Sequence, residues 1–150
     1  YFFRMWSLRR SVELVHKPKE GLAGIHYLFD KLSEACEEHP GLWLSLVGYL
    51  ADFKRSPKPF PIKPEEKKLV FPEITNINTI EILSLDQMLE KFTLEAIFRK
   101  EITKSINTRD ITNLLLTIFL GGITIAHVNH LSPLKIFFRR NVDLMLNGLN

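Results

Sequence analysis

Residues 111–128 read ITNLLLTIFLGGITIAHV, a run without a single Asp, Glu, Lys or Arg. A run of this kind is either a helix that crosses a bilayer or a helix that protein covers on most of its surface. A span needs roughly 20 predominantly apolar residues; this one is near that length but poorly made for it. Thr112, Asn113, Thr117, Thr124 and His127 lie inside it, and Gly121-Gly122 break its middle. On a helical wheel Asn113, Thr117, Thr124 and His127 fall close to one line, with Gly121 between them. Around that narrow stripe stand Ile111, Leu114, Leu115, Ile118, Phe119, Leu120, Ile123 and Ile125. A helix apolar nearly all round belongs in a large core or a membrane. No second span and no orienting basic flank accompanies it, so a core helix is expected and a membrane partner is not. A chain of 150 residues offers one core. The helix therefore needs a second covering partner, and another copy of the chain is the simplest.

Composition agrees with a globular domain. The chain is 45% hydrophobic and 25% charged with mean hydropathy +0.00, close to the ordinary balance. The opening stretch YFFRMWSLRR has neither the h-region nor the small-residue cleavage site of a secretory signal, and the chain reads as a fragment that starts inside a helix. One cysteine, Cys36, cannot make an internal disulfide, which points to a cytoplasmic home. A net charge of +3 permits an anionic partner without demanding one.

Along the chain, helix signals recur and strand signals do not, so an all-α domain over residues 1–150 is expected. Residues 1–16 carry Phe2, Met5, Trp6, Leu8, Val12 and Val15 among Arg4, Arg9, Arg10 and Glu13. A second helix to about Glu38 repeats Leu22, Ile25, Phe29, Leu32 and Cys36 at helical spacing. Pro40 opens a third, with Leu42, Trp43, Leu46, Val47 and Leu50. KRSPKPFPIKPEEKKLVFPEITNINTIEI, residues 54–82, holds five of the eight prolines and no helical period, and reads as a long connection. Ser84 and Gln87 make a capping-box pair for a fourth helix reaching about Ser105. Asn107, Thr108 or Asp110 caps the fifth, the quoted stretch. Ser132 caps a sixth, which runs to Asn147 before Gly148.

Catalytic patterns are thin. Neither a Gly-rich phosphate loop, nor Gly-x-Ser-x-Gly, nor His-Glu-x-x-His occurs. His127 and His130 have a spacing that fits a shared metal, but without an acidic or thiol partner nearby they read as helix-end packing. Cys36 beside Glu34, Glu37 and Glu38 sits where a thiol pKa rises, and Glu37-Glu38 reads as a solvated helix end. No catalytic residue, metal or cofactor is assigned, and an enzyme is not expected.

The order of helices, with the last two unusually apolar and joined by a Pro-containing turn, resembles the C-terminal regulatory domain of the TetR family of transcriptional repressors. HPGLW at 39–43, EAIFRKEI followed by NTRDITNLLLTIFLGG, and the closing FFRRNVDLMLNGLN carry the resemblance. The connection at 54–82 departs from the short link usual there. The resemblance implies a homodimer in which the last two helices of each subunit form a four-helix bundle. Leu115, Ile118, Gly121, Gly122, Ile125, Phe138, Val142 and Met145 are its expected interface. It implies a DNA-binding domain upstream of residue 1 and a small hydrophobic effector. The candidate effector pocket is Phe29, Trp43, Val47, Met88, Phe92 and Phe119, with His26, Tyr27 or Asn113 as a polar fixer; the other reading of these side chains is plain core. Arg4, Arg9 and Arg10 either meet the DNA-binding heads or lie on a solvated face. A stand-alone helical dimer that carries an apolar molecule without meeting DNA is the alternative.

Overall fold

The computed structural model describes residues 2–41, 43, 63–74, 77–129 and 133–149. Its helices are α1 (Phe2–His16), α2 (Gly21–Glu38), α3 (Pro64–Val70), α4 (Leu85–Phe98), α5 (Thr108–Asn129) and α6 (Leu134–Asn147), with a 3-10 turn at Ile77–Thr79. The described residues contain no strand, and the chain is all-α.

α2 lies at the centre and runs antiparallel to two helices distant in sequence. On one side Gly24 leaves room for the Phe92 ring of α4, where a Cβ would collide with it, and the Gly21 N–H donates to Glu95 Oε1 at 3.2 Å. On the other side three contacts step down α6. His26 Nε2 meets Asp143 Oδ1 at 3.3 Å, Asp30 accepts from Arg139 at 2.9 Å, and Glu37 accepts the Leu134 N–H at 2.9 Å. α5 and α6 form an antiparallel hairpin at whose centre Gly122 admits the Phe138 ring. Ile25, Leu28, Leu32, Leu89, Ile111, Leu115 and Val142 complete the main core at near-zero exposure. Burying an aliphatic side chain of this size contributes roughly 1.5–3 kcal/mol, which is what holds so short a bundle together.

Several sequence expectations change. The connection at 54–82 contains α3, whose seven residues are too few to display a period; Pro64 takes its first position. The fourth helix stops at Phe98, not near Ser105. Lys100 adopts φ 63°, Lys100 N–H bonds Ile97 O at 3.0 Å, and Glu101 N–H bonds Ala96 O at 2.8 Å. That is a Schellman ending with lysine where glycine is usual. The capping box holds: Gln87 N–H donates to Ser84 Oγ at 3.2 Å and Ser84 N–H to Gln87 Oε1 at 2.9 Å. Asn107 caps α5, its Oδ1 accepting the Arg109 N–H at 2.7 Å. Most of the third expected helix, including Val47, lies outside the described residues, as do His130, Ser132 and the side chain of His127.

By length and composition, Thr108–Ala126 within α5 is long and apolar enough to cross a membrane, with 33% of the stretch buried in the domain. The buried side packs on α4 and α6. The other side faces outward.

Candidate functional site

The aromatic residues expected to line a pocket do converge. Phe29, Trp43, Met88, Phe92 and Phe119 are each no more than 2% exposed and belong to one core. They meet ring to ring. Trp43 stands edge-on to Phe119 at 5.7 Å between centroids, Phe119 tilts onto Phe138 at 6.2 Å, and Phe138 stands edge-on to Phe29 at 5.3 Å. Trp6 of α1 extends the chain, edge-on to Trp43 at 6.0 Å. These separations are those of attractive aromatic pairs, so the rings themselves occupy the space.

Of the polar fixers, Tyr27 is partly buried against this core, and the other two lie elsewhere. His26 reaches half-exposed Asp143 at the rim between α2 and α6, and Asn113 is exposed on the outer side of α5. Helical spacing places a side chain on a face but does not say which neighbour that face meets.

Burial shifts two titratable groups beside the core. Burial pushes the Cys36 thiol up to about 12, with the neighbouring Glu37 charge adding to it. Burial also raises the Tyr27 hydroxyl well above its ordinary range, helped by Glu13 and opposed by Arg10. A protonated thiol is a poor nucleophile. Among the described residues no group of three His, Cys, Asp or Glu side chains is placed to share a metal.

The outer side of α5 is the distinctive surface. Leu114 and Ile125 are 47% and 42% exposed, Ile118 is partly buried, and Asn113, Thr117 and Thr124 face solvent. Neither threonine hydroxyl needs water as an acceptor. Thr117 Oγ1 donates to Asn113 O at 2.8 Å and Thr124 Oγ1 to Leu120 O at 3.0 Å, each within the helix. The two central glycines differ in kind. A Cβ on Gly122 would strike Phe138, whereas one on Gly121 would meet nothing within 4 Å. Gly122 is explained by its own chain; Gly121 is not.

This corrects the expected interface. Leu115, Phe138, Val142 and Gly122 are buried within the single chain, where they fasten α5 to α6 and α4. The other four keep surface, Ile125 openly, Ile118, Gly121 and Met145 in part. Leu114 belongs with them; the sequence shows it as merely one more apolar position. On α6, Ile136, Arg139, Arg140, Asp143, Leu144 and Asn147 border a shallow open depression of about 410 Å³. Glu37 is also more than a solvated helix end, since it caps α6 across the fold.

No family model matches the chain, and no curated protein or solved structure matches it.

Proposed function

We propose that this chain is the effector-binding and dimerising half of a ligand-responsive transcriptional repressor of the TetR type. It works in the cytoplasm with a DNA-binding domain carried upstream. The observation that carries the reading is the outer side of α5, uncharged from Ile111 to its end, bare at Gly121 and flanked by Leu114, Ile118 and Ile125. The helix has 22 residues, about 33 Å at 1.5 Å per residue, long enough to serve as a dimer seam. Paired across a two-fold axis, those three side chains count twice. At roughly 1.5–3 kcal/mol for each full burial, discounted for what the protomer already covers, they are of the size that offsets an association cost of about 4–15 kcal/mol. Gly121 lets the two helix backbones approach.

The effector site in this reading is the aromatic cluster itself, opened when an apolar or aromatic molecule parts Trp43 from Phe119. Binding favours one of two dimer arrangements, and α1, joined to the cluster through Trp6, passes the change to the DNA-binding heads. The spacing of successive major grooves, about 34 Å, sets the arrangement that fits DNA.

Sedimentation equilibrium at micromolar concentration tests the dimer: the unmodified chain is expected as a dimer and Gly121→Leu as monomer or aggregate. A helical monomer of the unmodified chain would defeat the proposal. In a Trp6→Phe host, saturable quenching of Trp43 by apolar compounds reports the effector site, and no response across a broad set rejects it.

A further inference from the structure

α1 buries part of its apolar surface away from the main core. Its Leu8 and Val12 pack with Ile77 and Ile80 in a small core separate from the main one, and Phe71 and Ile74 close its edge. The Arg9 guanidinium lies over the Phe71 ring, 5.8 Å from its centroid. Among the described residues, Trp6 and partly buried Leu14 join α1 to the main core, with Glu13 beside the Tyr27 hydroxyl of α2 at its margin.

A polar hook ends this arrangement. Ser11 Oγ accepts the Leu83 N–H at 3.0 Å and passes its own hydrogen to Ser7 O at 2.9 Å. The residue after Leu83 is Ser84, which caps α4. A displacement of α4 at its first turn therefore pulls directly on the hydrogen bond that holds α1. Met88 and Phe92 of the aromatic cluster sit one and two turns further along the same helix.

We propose that residues 77–83 form a strap that fastens α1 to α4, so that α1 and the strap open and close as one cooperative piece on the bundle of α2, α4, α5 and α6. The inference does not depend on the regulator reading, because it follows from where α1 is buried and not from what the domain binds. Opening exposes the small core and breaks the Ser11–Leu83 hook, while the Phe29–Phe138–Phe119 stack stays closed. Proteins commonly open in contiguous units of this kind, with different free energies for different units.

Hydrogen exchange followed by mass spectrometry on the whole chain tests it. In the unmodified protein, amides in 5–16 and 77–83 are expected to exchange at a common rate, about tenfold or more faster than those of α2 and α6. Ile77→Asp should accelerate both segments together and leave α2 and α6 unchanged, and the milder Ser11→Ala should do the same to a smaller degree. Three results overturn the proposal. The first is α1 exchanging at the rate of α2 in the unmodified chain. The second is Ile77→Asp or Ser11→Ala loosening the strap while α1 keeps its protection. The third is loss of the whole helical spectrum in Ile77→Asp, which would mean that the strap is not separable from the bundle.

Discussion

The Glu37 carboxylate, in the last turn of α2, accepts the backbone N–H of Leu134, 97 positions later in the chain, at 2.9 Å. Pro133 occupies the N-cap of α6 and has no side-chain donor or acceptor, so a neighbouring helix supplies the cap. Its negative charge also sits at the favourable end of the α6 dipole. Replacing an N-cap acceptor by alanine costs about 0.5–2 kcal/mol. Glu37→Ala is expected to lose about that much in urea unfolding, whereas Glu38→Ala should change little.

Gly121 and Gly122 are neighbours that should respond oppositely. Gly122→Ala drives a methyl into Phe138, and overpacking of this kind costs about 1–3 kcal/mol. Gly121→Ala adds helix propensity where a Cβ meets nothing, and alanine exceeds glycine there by about 0.5–1 kcal/mol. Thermal unfolding of the two variants at low protein concentration, where association does not contribute, separates the effects. Destabilisation by both would mean that Gly121 also has a role inside its own chain.

Lys100 holds the left-handed position that ends α4, at φ 63°. A side chain there costs roughly 1–2 kcal/mol that glycine does not, partly offset by the larger unfolded-state entropy of glycine. Lys100→Gly should therefore stabilise the domain by up to about 1 kcal/mol in urea unfolding, and Lys100→Val should destabilise it.

Cys36 makes stability fall in alkali. Its folded-state pKa of about 12 lies above the ordinary 9.0, because burial disfavours the thiolate. Between those values the folded chain holds a proton that the unfolded chain has lost. The contribution is complete below pH 9 and declines as pH rises toward about 12. Tyr27, also raised by burial, acts in the same direction at higher pH. Cys36→Ala should flatten the decline that begins near pH 9, measured as urea midpoint against pH. Native Cys36 should also react slowly with iodoacetamide at pH 8 and quickly in denaturant.

What the sequence revealed follows from how local each signal is. Ser84 and Gln87 are three residues apart and satisfy each other, so the start of α4 is visible in four letters. Its end is not, because the left-handed residue is Lys100 and carries no mark of the turn it makes. The same limit separates Phe119 from Asn113. Periodicity puts both on α5, but only the positions of α4 and α6 decide that Phe119 is buried and Asn113 is not. Leu115, Phe138 and Val142 read as partner contacts because the resemblance pairs the last two helices across a dimer axis. In three dimensions α2 and α4, from much earlier in the sequence, reach back to cover them. Ser11 and Leu83 are 72 positions apart, and nothing in either residue type announces the hook.

The central place of α2 has a consequence for biosynthesis. Its partners arrive late: Gly21 meets Glu95, Asp30 meets Arg139, and Glu37 meets Leu134, separations of 74, 109 and 97 residues. Helical proteins usually owe fast folding to contacts close in sequence, a benefit this topology forgoes. On the ribosome, at about 5–20 residues per second, Ile25, Leu28, Phe29 and Leu32 wait several seconds for the ring of Phe138 to be made. During that wait the α6-facing side of α2 is bare, and it is a natural place for a chaperone to bind. A ribosome stalled before Leu134 would display α2 with only half of its walls.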